Sequence, residues 1–219
     1  CSCGSNESTE KPSAVSSDTA AKDSSPATTD AAGSRDNTPV VLTGSADGTV
    51  TYGNDSVTVD ASHTEEGYLM VSYSGSNSKV KLQITGSDEI TYTYNLHDGY
   101  ETFPLTSGSG SYTVGVFENI EGTSYSTLFT QAIDVTIQDE FGPYLYANQY
   151  VNFSADSKVI SKAMELSASA NDDLEVIENV YNYIITNFTY DYDKAASVQS
   201  GYLPNVDEVL ASQTGICFD

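Results

Sequence analysis

The sequence predicts a multidomain α+β protein with a polar amino-terminal tail, a β-sandwich and a helical unit. Three observations predict it. Residues 1–37 contain no Ile, Leu, Met, Phe, Tyr or Trp and are crowded with Ser, Thr, Ala and Asp. From Thr38 apolar residues alternate with polar ones, the period of a half-buried strand. From Ser154 they recur every three or four residues, the period of a helix. The 219 residues have room for more than one core, since domains commonly run ~100–150 residues. The division expected is a disordered tail (1–37), a sandwich (38–137), a connector (138–153) and a helical unit (154–219).

The tail cannot bury enough apolar surface to offset its chain entropy, so it is expected to be a flexible stalk. The chain opens on Cys1-Ser2-Cys3-Gly4 and then turns polar, which resembles a processed bacterial lipoprotein. The resemblance implies diacylglycerol on Cys1, or on Cys3, a membrane partner held through that lipid, and a place on the extracellular face of a bacterial membrane. The alternative is an arbitrary starting point. One intervening residue leaves little room for a relaxed disulfide between Cys1 and Cys3. No run of eighteen apolar residues occurs, so no spanning helix is expected. Eight Lys+Arg against 31 Asp+Glu give a net charge of −23, which repels phosphate backbones and argues against nucleic acid as a partner.

Within the sandwich, Val80, Leu82 and Ile84 face one way and Lys79, Lys81 and Gln83 the other. Ile90, Tyr92, Tyr94 and Leu96 repeat the pattern after a Gly86-Ser87-Asp88-Glu89 turn, which predicts a hairpin. Further strands are expected at Gly67–Tyr73, Ser111–Glu118 and Ser124–Ile137, with weaker ones at Thr49–Tyr52 and Ser56–Ala61. About seven short strands at close spacing suggest two packed sheets. The stretch Gly110-Ser111-Tyr112-Thr113-Val114 resembles the opening of a strand in immunoglobulin-like domains, where a tyrosine hydroxyl closes a corner. Sixteen tyrosines invite a carbohydrate-stacking role, but those alternating with Thr or Ser are better read as sheet formers. His63 and His97 have no metal-ligand neighbours at useful spacing, so no metal site and no cofactor are expected.

The connector carries Gly142-Pro143 and three tyrosines and is too aromatic for a free linker. Ser154 then starts a helix bearing Val159, Ile160, Ala163, Met164 and Leu166. Asp172 with Glu175 has capping-box spacing for a second helix, whose Leu174, Ile177, Tyr181, Ile184 and Phe188 form a stripe expected in the core. Asp191 and Asp193 read as a carboxylate pair for acid–base work or as a calcium ligand set, the latter a weak signal without a downstream ligand cluster. Asn205 and Glu208 form another capping box, and Gly215 is expected to end that helix.

A lone cysteine, Cys217, follows where a further helix should begin. Thiols at helix amino termini ionise more easily, and the thiolate is the nucleophile. The other reading is a small buried hydrophobe. Residues 173–219 resemble the opening of a transglutaminase-like domain of the papain-related thiol fold. The features that carry this are the Val176–Phe188 helix, Thr189-Tyr190-Asp191-Tyr192-Asp193, Asp207-Glu208-Val209-Leu210, and Gly215-x-Cys217. The resemblance implies that Cys217 is the nucleophile and that Asp191 and Asp193 lie near the site's rim. It also implies that the histidine and aspartate partners come later in the chain, so the 219 residues alone are expected to be inactive. Helix-start geometry makes the N–H groups around Cys217 and Phe218 candidate oxyanion donors.

Two functional classes follow. One is a secreted, lipid-anchored cysteine enzyme acting on a protein or peptide substrate, with cell-wall-associated proteins among the candidates. It would pass through a thioester to hydrolysis, deamidation or cross-linking. The other is a non-catalytic surface binding or adhesion protein whose helical unit is a scaffold.

Overall fold

The computed structural model describes residues 34–219. Cys1, Cys3 and the expected lipid anchor lie outside the described residues, as does the expected tail up to residue 33.

The chain opens with a two-residue strand, β1 (Leu42–Thr43), and then builds two four-stranded antiparallel sheets. The first has the order β2-β3-β4-β7, from Thr51–Gly53, Val57–Asp60, Tyr68–Tyr73 and Gly99–Pro104. The second has the order β6-β5-β8-β9, from Thr91–Leu96, Val80–Thr85, Gly110–Glu121 and Ser124–Val135. Alternation dictates which residues meet between them. Val57, Val59, Leu69, Val71 and Phe103 of the first sheet join Val80, Leu82, Ile84, Val114 and Val116 of the second in one buried core. The expected hairpin forms, with Leu82 opposite Tyr94, and Glu89 adopts φ 63° to close its turn. Ile90 and Tyr92 are exposed, however, because the buried alternation begins only at Tyr94. Tyr112 is almost wholly buried and its O–H donates to the Gly108 carbonyl at 2.8 Å.

The connector is built into the end of this body. Its strand β10 (Tyr146–Ala147) pairs in parallel with β1. Gly67, at φ 89°, leaves room for Pro143, whose Cδ would lie 2.5 Å from any β-carbon added there. Gln149 Nε2 donates to the Asn95 carbonyl at 2.7 Å and to Glu101 Oε1 at 2.8 Å.

The carboxy-terminal part contains α1 (Lys158–Ser167), α2 (Asp173–Asn187), β11 (Thr189–Tyr190), α3 (Tyr192–Ser197), α4 (Val206–Ser212) and β12 (Thr214–Gly215). The first helix begins later than Ser154, at the extended Ser157. Its first free N–H groups are taken from outside the helix: Lys158 and Val159 donate to the two Asp207 oxygens at 3.0 and 3.1 Å. Asp172 caps α2 by accepting from Glu175 N at 2.9 Å, while Glu175 returns to Asn171 N at 2.7 Å. Asn205 caps α4 as expected. Its end is set by Gln213 in the left-handed conformation, not by Gly215, which is already in β12. The stripe Leu174, Ile177, Tyr181 and Ile184 is exposed instead of buried. The half-buried positions of α2 are Glu175, Val176, Asn179, Val180 and Tyr183, and Asn179 Nδ2 donates to the Leu166 carbonyl of α1 at 2.9 Å.

Residues 34–37, expected in the tail, are bonded to the α1–α2 turn. Ser34 N donates to Asn171 Oδ1 at 3.1 Å, and Arg35 Nε pairs with Asp173 at 2.7 Å. Among the described residues no helix is long and apolar enough to cross a membrane.

Candidate functional site

The short parallel pair β11–β12 delivers the chain to Cys217. Thr189 N donates to the Gln213 carbonyl at 2.9 Å and Asp191 N to the Gly215 carbonyl at 2.8 Å. Residues 216–219 then form a turn, closed by Asp219 N donating to the Ile216 carbonyl at 3.0 Å. Cys217 is the first of the two central residues of this turn. The thiol is exposed among the described residues.

A side-chain cluster that the sequence did not reveal holds the turn. Asp219 Oδ2 accepts from Ile216 N at 2.7 Å, and Lys194 Nζ reaches Oδ1 and Oδ2 at 2.8 and 2.7 Å. Tyr202 O–H donates to Asp219 Oδ1 at 2.6 Å, and the ammonium lies 4.5 Å from the centre of the Tyr202 ring. The Asp219 side chain is only 1 % exposed. Burial alone would raise its pKa, but Lys194, Tyr202 and the Ile216 N–H outweigh burial and hold the carboxyl below the usual carboxylate range. Asp219, followed by the Tyr202 hydroxyl, holds the Lys194 ammonium above the ordinary lysine value. Lys194 is brought into place by α3, whose amino end Asp191 caps by accepting from Lys194 N at 2.8 Å. Asp191 is thus a helix cap and Asp193 is exposed. Among the described residues no three His, Cys, Asp or Glu side chains converge as metal ligands.

The one cue available in the sequence was Asp219, two residues past the thiol and four past Gly215. A β-carbon at Gly215 would lie 2.9 Å from Asp219 Cβ, so the glycine is what lets the carboxylate fold back.

Two depressions flank the turn. Cys217 opens onto an apolar groove of about 570 Å³, walled by residues such as Val159, Leu166, Val180, Phe188 and Leu210. A smaller cleft of about 240 Å³ lies where Phe218 meets the sheets, bordered by Lys81, His97, Tyr150 and Tyr202. Phe218 packs edge-on to Tyr150, with centroids 5.3 Å apart, and Tyr150 in turn meets Tyr94 at 5.3 Å.

The histidines are engaged elsewhere. His63 bridges Asp47 at 2.9 Å and Glu66 at 2.5 Å and stacks on Tyr68. Burial lowers its pKa, but hydrogen bonds to Glu66 and Asp47 outweigh that and raise it. His97 Nδ1 meets Glu101 at 3.1 Å. Among the described residues neither histidine bonds to Cys217, and the N–H groups of Cys217 and Phe218 donate to no protein acceptor.

No curated protein matches the chain. A protein-family model described as a transglutaminase-like domain matches residues 156–219, which span all four helices and the thiol turn, and that stretch is accordingly similar to a transglutaminase-like domain.

Proposed function

We propose that Cys217 is the nucleophile of a transglutaminase-like cysteine enzyme acting on amide groups of a protein or peptide. The observation that carries this reading is the exposed thiol held in a turn at the end of the matched stretch, beside two backbone N–H groups that lack protein acceptors among the described residues. The sulfur, as thiolate, would attack the carbonyl carbon of a carboxamide, and the N–H groups of Cys217 and Phe218 would receive the resulting oxyanion. Collapse breaks the C–N bond, the leaving nitrogen takes a proton and departs as ammonia or an amine, and a thioester remains. Water then gives the acid, or a lysine amine gives a cross-link. The base is not assigned to His63 or His97, because among the described residues neither bonds to Cys217.

In this reading the two sheets form an immunoglobulin-like sandwich, supported by the bond from Tyr112 to Gly108, and serve to position the thiol or its target. A lipid on Cys1 or Cys3 would hold the protein at the outer face of a membrane.

The test uses the protein at its natural length with a glutamine-containing peptide and a fluorescent amine, reading ammonia release, amine incorporation and the mass of the acyl-enzyme. Cys217→Ala is expected to abolish all three. Turnover unchanged in that variant overturns the assignment. The second reading, a binding or adhesion protein, is favoured by the absence of a bond between either histidine and Cys217 among the described residues. It would be adopted if the natural protein neither turned over nor formed an acyl-enzyme.

A further inference from the structure

We propose that Asp219, gripped by Lys194 and Tyr202, is the positioning residue of the thiol turn: its carboxylate fixes where the Cys217 sulfur is presented. The proposal rests on Cys217 being the nucleophile. Four bonds converge on one carboxylate, and they come from three separate places in the chain. Ile216 N–H reaches it from the first residue of the turn, Lys194 twice from α3, and Tyr202 from the loop before α4.

Cys217 and Phe218 are the two central residues between Ile216 and Asp219. Both ends of their turn are therefore tied, by Ile216 N to Oδ2 and by Asp219 N to the Ile216 carbonyl. The carboxylate is 1 % exposed while its lysine partner is 27 % exposed, so the negative end is sealed inside and the positive end faces outward. A nearly buried carboxylate with one lysine is intolerant of losing that partner, because the remaining charge would be left uncompensated. Gly215 serves the same arrangement, since its missing side chain makes the space into which Asp219 folds.

The ion pair also brings a balanced charge to within two residues of the sulfur. The carboxylate alone would oppose thiolate formation and the ammonium alone would favour it. Positioning is separated from simple structural support by a fall in kcat at little-changed KM in a variant whose sheets remain folded.

The experiment uses the natural-length protein with Cys1→Ser and Cys3→Ser, and compares Asp219→Asn, Lys194→Met, the double variant and Asp219→Ala. Two quantities are read: the pH dependence of Cys217 alkylation by iodoacetamide, and kcat and KM for acyl transfer. Far-UV circular dichroism and the thermal midpoint report whether the sheets remain folded. Asp219→Asn keeps an acceptor for Ile216 N–H and should shift the alkylation midpoint to lower pH. Lys194→Met should shift it to higher pH, and the double variant should return towards the parent. Asp219→Ala removes the turn bond as well, so kcat should fall roughly 10- to 100-fold with KM little changed, the scale of a reacting group displaced by about 1 Å.

The proposal is overturned if both single variants shift the midpoint in the same direction, or if Asp219→Ala keeps the parent's pH profile and kcat. A parent that shows no turnover sinks the enzymatic reading and the positioning role with it, whereas a parent that turns over while Asp219→Ala keeps its kcat sinks the positioning role alone.

Discussion

At the scale of the residue, Gly215 and Asp219 act as a single unit. Adding a methyl at Gly215 brings it within 2.9 Å of Asp219 Cβ, an atom that cannot swing away without moving the backbone. Gly215→Ala should therefore cost about 1–3 kcal/mol as overpacking and should expose the Asp219 carboxylate, checked by thermal unfolding and by the pH at which the Lys194 pair dissolves. His63 provides a second test. Its pKa is raised in the folded protein by Glu66 and Asp47, so the stability it contributes is fully present below about pH 6.5, the unfolded value. That contribution is lost as pH rises through the folded value. His63→Gln should flatten the fall in stability as pH rises above about 6.5, measured by denaturant titration at each pH. Cys217 was singled out as a candidate because Gly215-x-Cys217 is a compact local signal. Lys194 and Tyr202 were not, because they join Asp219 across 25 and 17 residues of sequence, and nothing in the spacing marks a partner chosen by tertiary folding.

Single carboxylates and hydroxyls also hold whole elements together. Asp207 lies in the first turn of α4 but accepts from the first two N–H groups of α1, so Asp207→Ala should loosen α1 while leaving α4 capped by Asn205. A loss of about 1 kcal/mol is expected, with hydrogen exchange accelerated at Lys158 and Val159. Tyr112→Phe keeps the buried ring but leaves the Gly108 carbonyl without its donor, and should cost about 0.5–1.5 kcal/mol in chemical denaturation. The strands of the two sheets were largely readable because alternation of burial on one face is a strong local pattern. β7 was missed because Thr102 and Phe103 are adjacent and both buried, which blurs the period of two. The stripe on α2 was misassigned for a related reason. Periodicity shows that a face is apolar, but which of two adjacent faces is covered depends on where α1 packs, and that face proved to be Val176, Val180 and Tyr183.

For the whole molecule, a formal charge of −23 spread over 219 residues means self-repulsion in the compact state. Added salt, by screening at about 10 Å near 0.1 M, should raise the thermal midpoint, whereas the Lys194–Asp219 contact, short and largely enclosed, should be little changed. The aromatic series Phe103, Tyr94, Tyr150 and Phe218, with successive centroids 4.9, 5.3 and 5.3 Å apart, runs from the centre of the sheets to the residue beside the thiol. Its consequence is cooperativity. Heat absorbed in melting the sheets and heat absorbed in melting the helices should appear as one calorimetric peak, since neither part can lose its packing without breaking a contact in the series. Replacing Tyr150 by alanine would uncouple them, and the single endotherm should separate into two.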